Sequence, residues 1–271
     1  PLQALPTASS CWMGFRMNPC NCPTRLIIRL RRFQSHMSKA TRTVFDIVTT
    51  VVGMSGLRLD RSALQIGATL LLIVLSFFLS LSLIANSEEA LIYVVVVWCI
   101  YYAGHIIFYR VRLHHRMHHR LGRNRAWTVY ESVLGVVYFN QGWCVVIFLE
   151  HYTNSLDLPI PHLLIFLVGA ITFLISTVAK VWATLLVGMD VYYYRDLFLD
   201  EAGDGGLVTT GPYSIFSNPM YGVGNLSVYG AAIEAGSLEG LLVAILFQGS
   251  IYLFYGIVEL PFIRRVYPSH D

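Results

Sequence analysis

Charged residues are scarce in this chain of 271 residues. Asp, Glu, Lys and Arg make up 13% of it, whereas soluble domains carry about 25%. Hydrophobic residues make up 55% of the chain. The formal net charge of +3 is small, so the composition does not indicate a nucleic-acid-binding protein. These proportions argue against a soluble domain and favour a membrane protein.

The chain also lacks a disulfide framework and internal repeats. Its cysteines are odd in number and have no regular spacing, so they do not indicate disulfide bonds. Two of them, Cys20 and Cys22, are too isolated for a zinc site, and we expect reduced thiols. No segment recurs at a fixed period, which argues against a transporter built from repeats. The five cysteines are Cys11, Cys20, Cys22, Cys99 and Cys144.

Two uninterrupted apolar runs, residues 64–85 and 90–109, are each long enough to cross a bilayer. Each has about 20 residues, and at about 1.5 Å per residue this length crosses a hydrocarbon core of roughly 30 Å. The sequence therefore predicts an all-α, multi-spanning transmembrane helical bundle of about 5–6 spans. Its last two spans form a C-terminal helical hairpin with Gly236-Ser237 at the tip. The four further spans are predicted at 129–149, His162–Val187, 220–235 and 238–258.

The first 62 residues are predicted to be an extension, and residues 63–271 the membrane domain. Residues 1–24 are rich in Pro, Ser and Cys and are expected to be disordered. Residues 26–42 combine basic residues with Ile, Leu and Phe, which is typical of an amphipathic segment on an anionic membrane surface. A targeting peptide for an organelle is the alternative.

Arginine placement predicts the orientation. Cytosolic loops carry an excess of Lys and Arg, so the arginine-rich loop after the second span and the N-terminus are expected in the cytosol. Residues 150–161 carry no Lys or Arg and belong on the opposite side. Residues 190–217 and the C-terminus then return to the cytosol, where a cytosolic cofactor reaches them. The arginines of that loop are Arg110, Arg112, Arg116, Arg120, Arg123 and Arg125.

Histidines cluster once, at His114, His115, His118 and His119. Helix positions i, i+3 and i+4 share a face and can ligate a metal, and HxxHH is the pattern of membrane di-iron oxidases. Such a centre needs several clusters of this kind, and the other histidines are scattered. The alternative, which we favour, is a basic cytosolic helix beside lipid phosphates, and no metal site is predicted.

Two features of the C-terminal third suit ligand binding. Residues 205–222 hold glycines that allow close backbone approach, and Pro212 and Pro219 restrict the backbone. Exposed amides at a helix start bind anions, although an ordinary loop that caps the next span has the same pattern. Glu259 ends an apolar span, where a carboxylate is costly without a partner. It either binds a cationic ligand group or pairs with a nearby arginine.

The run GPYSIFSNPMYGVG at 211–224 resembles the cofactor segment of membrane methyltransferases, which include the isoprenylcysteine carboxyl methyltransferases and the phospholipid N-methyltransferases. Asn-Pro-Met-Tyr at 218–221 is closer to the phosphatidylethanolamine N-methyltransferases, because the first group usually has Arg-His-Pro before the tyrosine. Residues 188–198, 229–242 and 259–262 also resemble that family. The resemblance extends over about residues 90–268.

Three positions depart from the family's pattern. Leu260 stands where the family has the second glutamate of a Glu-Glu pair. The family's Gly-x-Gly motif in the fourth span keeps at most one glycine, Gly169. Arg195 replaces the glycine before Asp196. These departures leave one carboxylate, Glu259, for the cofactor segment.

The resemblance implies S-adenosylmethionine as cofactor and phosphatidylethanolamine, or its mono- or dimethyl form, as substrate in phosphatidylcholine synthesis. It also implies an endoplasmic reticulum membrane protein whose active site faces the cytosol. The oligomeric state stays open. The alternatives are carboxyl methylation of a prenylated cysteine and, more distantly, a di-iron hydroxylase or desaturase, or a transporter.

The resemblance also implies roles for particular residues. Glu259 would hold the amino group of the cofactor, and the backbone around the Gly-Pro-Tyr and Asn-Pro-Met-Tyr segments would surround the rest. Tyr221 would lie near the sulfonium, and Asp196 would orient or deprotonate the head group. Three arginines would contact the lipid phosphate. The implied cofactor residues are Gly169, Gly211, Pro212, Tyr213, Asn218, Pro219, Tyr221 and Glu259, and the arginines are Arg110, Arg112 and Arg116.

Overall fold

The computed structural model describes residues 39–203 and 208–267, with side chains from residue 41 onward. In this part of the chain the regular structure is entirely helical, which confirms the predicted all-α class. Five helices are long and apolar enough to span a membrane. In chain order the helices are α1 Lys39–Met54, α2 Ala63–Leu83, α3 Ser87–Arg110, α4 Leu113–Leu121, α5 Arg123–His151, α6 His162–Val187, α7 Met189–Tyr192, α8 Arg195–Leu199, α9 Leu226–Glu234 and α10 Leu238–Val266.

The spanning helices expose apolar surface that only lipid can cover. Only 17% of the apolar window of α2 and 11% of that of α6 are buried within the protein. Leu71 and Phe78 on α2 and Leu163 and Leu174 on α6 are each more than half exposed. A continuous apolar surface of this extent is typical of a membrane-facing helix.

The ends of α2 and α3 have local sequence causes. Ser62 caps the start of α2 by accepting a hydrogen bond from the Gln65 amide, and Asn86 caps α3 by accepting one from the Glu89 amide. Each cap satisfies one of the amides that lack a partner at a helix start. Because only three residues separate the two helices, the chain reverses direction there.

Helix α1 and the predicted N-terminal segments overlap only in part. Residues 1–24 and most of the amphipathic segment at 26–42 lie outside the described residues, apart from the first turn of α1. The end of α1 packs on the short helix α7 and the residue after it, since Gly53 lies against Met189 and accepts a hydrogen bond of 2.8 Å from the Tyr193 hydroxyl.

The prediction of a full span at 220–235 is wrong. The chain forms a 3-10 turn at Val223–Asn225, and only the nine residues of α9 are α-helical, a length of about 13 Å. Two glycines, Gly222 and Gly224, weaken a helix in this stretch, and Gly222 has a non-helical backbone. An irregular segment therefore covers the part of the membrane depth that α9 does not reach.

The predicted hairpin tip is confirmed. Gly236 takes a positive φ of 60° between α9 and α10. Amides of Asn154 and Leu156, in the loop between α5 and α6, donate to the carbonyls of Ala235 and Gly236 at 3.1 and 2.8 Å. The tip therefore lies beside that loop, and α9 runs antiparallel to α6.

Helices α6 and α9 approach closely at a pair of glycines. A Cβ atom on Gly169 would lie 2.7 Å from the Gly230 carbonyl oxygen, and one on Gly230 would lie 2.5 Å from the Phe173 nitrogen. Real Cβ atoms do not tolerate such distances to backbone atoms, so neither position accepts a side chain without moving the two helices apart. Gly169 is thus a helix-packing residue in this fold.

We expect Gly169→Ala to lower the free energy of unfolding by about 1–3 kcal/mol, because the added methyl group overpacks a backbone contact. Thermal unfolding of the purified chain in detergent measures the change. Gly67→Ala on α2 is the matched control, since no atom lies within 4 Å of a Cβ added there. Equal melting temperatures for the two variants would contradict the close approach.

A buried ionic network joins three parts of the chain. Arg58 and Arg61 precede α2, Glu131 lies in α5 and Asp190 in α7. Glu131, which is 2% exposed, lies 3.0 Å from Arg58 and 2.7 Å from Arg61, and Gln65 donates to it at 2.9 Å. Asp190 lies 2.9 and 2.6 Å from the same two arginines. Burial acts to raise the pKa of Asp190, but the two arginines outweigh it and lower that pKa.

Candidate active site

A polar cavity lies where α3, α5, α6 and α10 meet the irregular segment before α9. Its empty volume is about 520 Å³, counting space that is open to the outside, which is in the range of small-molecule sites. Six tyrosines line it, together with Gln141, Lys180, Asn225 and Glu259 and three apolar side chains. The tyrosines are Tyr101, Tyr102, Tyr138, Tyr192, Tyr194 and Tyr221.

Glu259 and Tyr221 form the polar centre of this cavity. The Tyr221 hydroxyl donates a hydrogen bond of 2.7 Å to the Glu259 carboxylate. It also lies 3.2 Å from the Tyr194 hydroxyl, which lies 3.3 Å from that of Tyr101. The carboxylate therefore ends a chain of three buried phenols that come from three different parts of the fold.

Two π-helical turns bring cavity residues into place. Cys99–Ala103 in α3 carries Tyr101 and Tyr102, and Tyr255–Glu259 in α10 carries Glu259. A π-helical turn inserts one residue into a helix and often occurs at functional sites. In both helices the insertion coincides with the side chains that line the cavity.

The irregular segment before α9 satisfies its backbone through specific side chains. The Tyr221 amide donates to the Asn218 side-chain oxygen at 3.2 Å, and the Tyr221 carbonyl accepts from Gln248 at 2.6 Å. The Gly224 amide donates to the Pro219 carbonyl at 2.8 Å. Non-helical backbone at membrane depth is tolerated only where protein or a cavity surrounds it. Asn218 and Pro219 therefore shape the wall that presents Tyr221.

The Gly-Pro-Tyr turn lies close to the same carboxylate. Gly211 has a positive φ of 62° and packs on Trp182 and Leu186 of α6, and Pro212 is buried. The hydroxyl of Tyr213 is buried and has no hydrogen-bond partner within the described part of the chain. Burial and the charge of Glu259 together raise the pKa of Tyr213.

Two more buried polar atoms around the cavity lack partners among the described residues. They are the Asn225 side-chain nitrogen and the Gln248 side-chain oxygen. A buried polar atom without a partner costs about 1–3 kcal/mol. Of the residues that carry these atoms, Asn225 lines the cavity, and Gln248 bonds the carbonyl of Tyr221, which also lines it.

Comparison with known proteins identifies the segment that builds most of this site. Residues 164–270 match the sequence model described as phospholipid methyltransferase. This part of the chain is similar to the phospholipid methyltransferase family. The match confirms the predicted resemblance over the irregular segment and α10.

Curated proteins similar to the chain carry a related name. Phosphatidylethanolamine N-methyltransferase of Kluyveromyces lactis is 33% identical over 101 residues, which are 37% of this chain and 12% of that protein. The protein of the same name from Komagataella phaffii is 26% identical over 148 residues, 53% of this chain and 16% of that protein. The matched regions thus span only about an eighth to a sixth of the length of these relatives. No solved structure matches the chain.

The structure brings together most of the residues predicted from the phospholipid methyltransferase pattern. Tyr221 and Glu259 line the cavity. Asn218 and Pro219 hold the wall behind Tyr221. Tyr213 lies close enough to Glu259 for its charge to raise the pKa of Tyr213. Gly211 and Pro212 set the turn that carries Tyr213.

Gly169 and Asp196 are not brought to the cavity. Gly169 packs against α9, as described above. Asp196 accepts a hydrogen bond of 2.9 Å from the Tyr267 hydroxyl, and burial raises its pKa. Asp196 therefore joins α8 to Tyr267, the residue that directly follows α10.

The three predicted phosphate-contacting residues are exposed. Arg110 ends α3, Arg112 has a left-handed backbone between α3 and α4, and Arg116 lies on α4. None of the three forms an ion pair with a described residue. They are available to anionic groups outside the protein.

The histidine cluster on α4 has packing contacts. His114 is buried and stands near Phe108 and Tyr109, and His118 stands edge-on to Phe198 at 4.9 Å between ring centres. Burial and the neighbouring histidines lower the pKa of His114 to about 4. Over the described residues the structure gathers no group of three or more potential metal ligands.

Sequence reasoning missed much of the cavity wall. Tyr101 and Gln141 come from helices outside the recognised motifs, and neither Tyr194, within the family-like segment 188–198, nor Lys180 was predicted to line a site. The paired tyrosines at 101–102 and the three at 192–194 were the available signal, since repeated tyrosine in apolar sequence indicates hydroxyls that need partners.

Proposed function

We propose that the chain transfers a methyl group from S-adenosylmethionine to the amine of phosphatidylethanolamine or of its mono- or dimethyl form. The observation that carries the proposal is the hydrogen-bonded Tyr221–Glu259 pair in a tyrosine-lined cavity. The pair lies in the segment that matches the phospholipid methyltransferase family, and the similar curated proteins bear the name of this activity.

The cavity fits the cofactor in its polar groups. S-adenosylmethionine supplies an electrophilic methyl group on a sulfonium cation when it is bound. Tyrosine ring faces attract such cations and the methylated ammonium groups of the products. The Asn225 side-chain nitrogen lacks a partner among the described residues, and since Asn225 lines the cavity it offers a donor to a ligand with many polar atoms.

Within this proposal Glu259 binds the ammonium of the cofactor's amino-acid part. The Tyr221 hydroxyl orients the carboxylate by donating to it. Asn218 and Pro219 fix Tyr221, and the Gly211–Ser214 turn holds Tyr213 beside the site. These residues act by positioning and by excluding water, which is where methyl transfer gains most.

The exposed arginines suit the lipid. Arg110, Arg112 and Arg116 lie at the end of a membrane-spanning helix and on α4, where a phosphate at the membrane surface would meet them. By the positive-inside rule this end faces the cytosol. We propose an endoplasmic reticulum membrane protein with its cavity open to that side.

Asp196 takes a positioning role in this proposal. Its carboxylate bonds Tyr267 rather than the cavity, so it would hold α8 against the end of the chain after α10. Gly169 contributes helix packing and no ligand contact.

Incubation of the purified chain with methyl-labelled S-adenosylmethionine, phosphatidylethanolamine and a prenylated cysteine tests the proposal. We expect label in the phospholipid fraction. Label only in the prenylcysteine fraction would contradict the substrate and support a carboxyl methyltransferase. Label in neither fraction, from a chain that is folded and binds no S-adenosylmethionine, would contradict the methyltransferase proposal.

A further inference from the structure

Lys180 is a basic residue inside a membrane-spanning helix, and its side chain has no polar partner among the described residues. It lies in α6 and lines the cavity. No described residue, Glu259 included, forms a hydrogen bond or an ion pair with its ammonium group. An ionised side chain within a membrane span is costly and normally faces a partner, a polar cavity or a ligand.

The position of Lys180 matches that of Glu259. Each lies seven residues before the last residue of its helix, Val187 in α6 and Val266 in α10. At about 1.5 Å per residue, both charges lie about 10 Å inside the helix ends. The cavity therefore carries one positive and one negative side chain at similar depth.

The path of the Lys180 side chain is built by the irregular segment. Its Cβ and Cγ atoms would lie 3.0 Å from a Cβ on Gly224, so the stem packs tightly against the backbone at that glycine. The neighbouring Ser176 hydroxyl donates to the Val223 carbonyl at 2.8 Å and fixes the segment against α6. The lysine stem thus lies in a fitted groove that leads into the cavity.

We infer that Lys180 binds the anionic end of a zwitterionic ligand whose cationic end meets Glu259. The inference rests on the proposed function, which supplies two such ligands. One is the amino-acid part of the cofactor, with a carboxylate. The other is the ethanolamine head group of the lipid, with a phosphate. The carboxylate is favoured, because the exposed arginines are already available for the phosphate.

Equilibrium binding to the full chain in detergent tests the cofactor arm. The probes are S-adenosylmethionine and its decarboxylated analogue, which keeps the amino and sulfonium groups. A charge-assisted contact to the carboxylate predicts that the unmodified chain prefers the first probe by about 10- to 100-fold. In Lys180→Met that preference is expected to fall to about 1, with affinity for the analogue nearly unchanged.

Control variants separate this effect from simpler ones. Arg264→Met removes an exposed positive charge near the end of α10 and is expected to keep the preference. Lys180→Arg keeps the charge and is expected to retain part of it. Lys180→Gln is a second uncharged variant if the apolar one fails to fold, as judged by thermal unfolding.

The remaining outcomes are distinct. An unchanged preference with a KM for phosphatidylethanolamine raised about tenfold or more would support Lys180 binding the lipid phosphate. An unchanged preference and an unchanged KM would overturn the role of Lys180 and leave the proposed function standing. Failure of the folded, unmodified chain to bind S-adenosylmethionine would instead contradict the proposed function.

Discussion

Replacing Glu259 with glutamine is expected to weaken S-adenosylmethionine binding by about 10- to 100-fold and to reduce methyl transfer at least as much. Glutamine has nearly the size of glutamate and still accepts the hydrogen bond from Tyr221, so the cavity wall is retained. It loses the negative charge, and a hydrogen bond to a charged group contributes about 1.5–3 kcal/mol. Equilibrium binding of labelled cofactor measures the change.

Glu234→Gln is the matched control for that experiment. Glu234 is an exposed glutamate at the end of α9. Glu234→Gln therefore removes the same charge at a position that does not line the cavity. If Glu259→Gln and the control both bind the cofactor with unchanged affinity, the result would contradict the role of Glu259 as the ammonium ligand.

Replacing Glu131 with alanine is expected to lower the free energy of unfolding by about 3–5 kcal/mol, because it leaves two arginines buried without their shared partner. Arg58 is 7% exposed and Arg61 22% exposed. Asp190 then faces both guanidinium groups and Asp60 still binds Arg58, but both carboxylates are more than 40% exposed, and Gln65 loses its acceptor. A change in melting temperature in detergent measures the loss.

The control for the network is a glutamate on the same helix. Glu150 lies at the far end of α5 and is exposed, so Glu150→Ala is expected to change the free energy of unfolding by no more than about 0.5 kcal/mol. If Glu131→Ala and Glu150→Ala have the same melting temperature, the buried network does not stabilise the fold.

The membrane-spanning helices could be predicted well, because length and hydropathy determine them. The bounds of α6 match the prediction at both ends. The prediction of a span at 220–235 is wrong for a physical reason. Its composition is apolar enough for a helix, but Gly222 and Gly224 and the cavity beside them favour an irregular backbone that side chains satisfy.

The candidate site could be predicted only where one continuous segment builds it. The Asn-Pro-Met-Tyr run identified Asn218, Pro219 and Tyr221, and the end of the last span identified Glu259. Tyr101 and Gln141 lie 120 and 80 residues before Tyr221 in the chain, and no local pattern connects them to it. The same holds for Glu131, whose arginine partner Arg61 is 70 positions away.

The most direct test of the central claim is an experimental structure of the full chain with S-adenosylhomocysteine bound. The account predicts ligand density in the tyrosine-lined cavity, with the amino group at Glu259 and the carboxylate toward Lys180. Density at the α4 histidines or elsewhere on the surface, with the cavity empty, would contradict it.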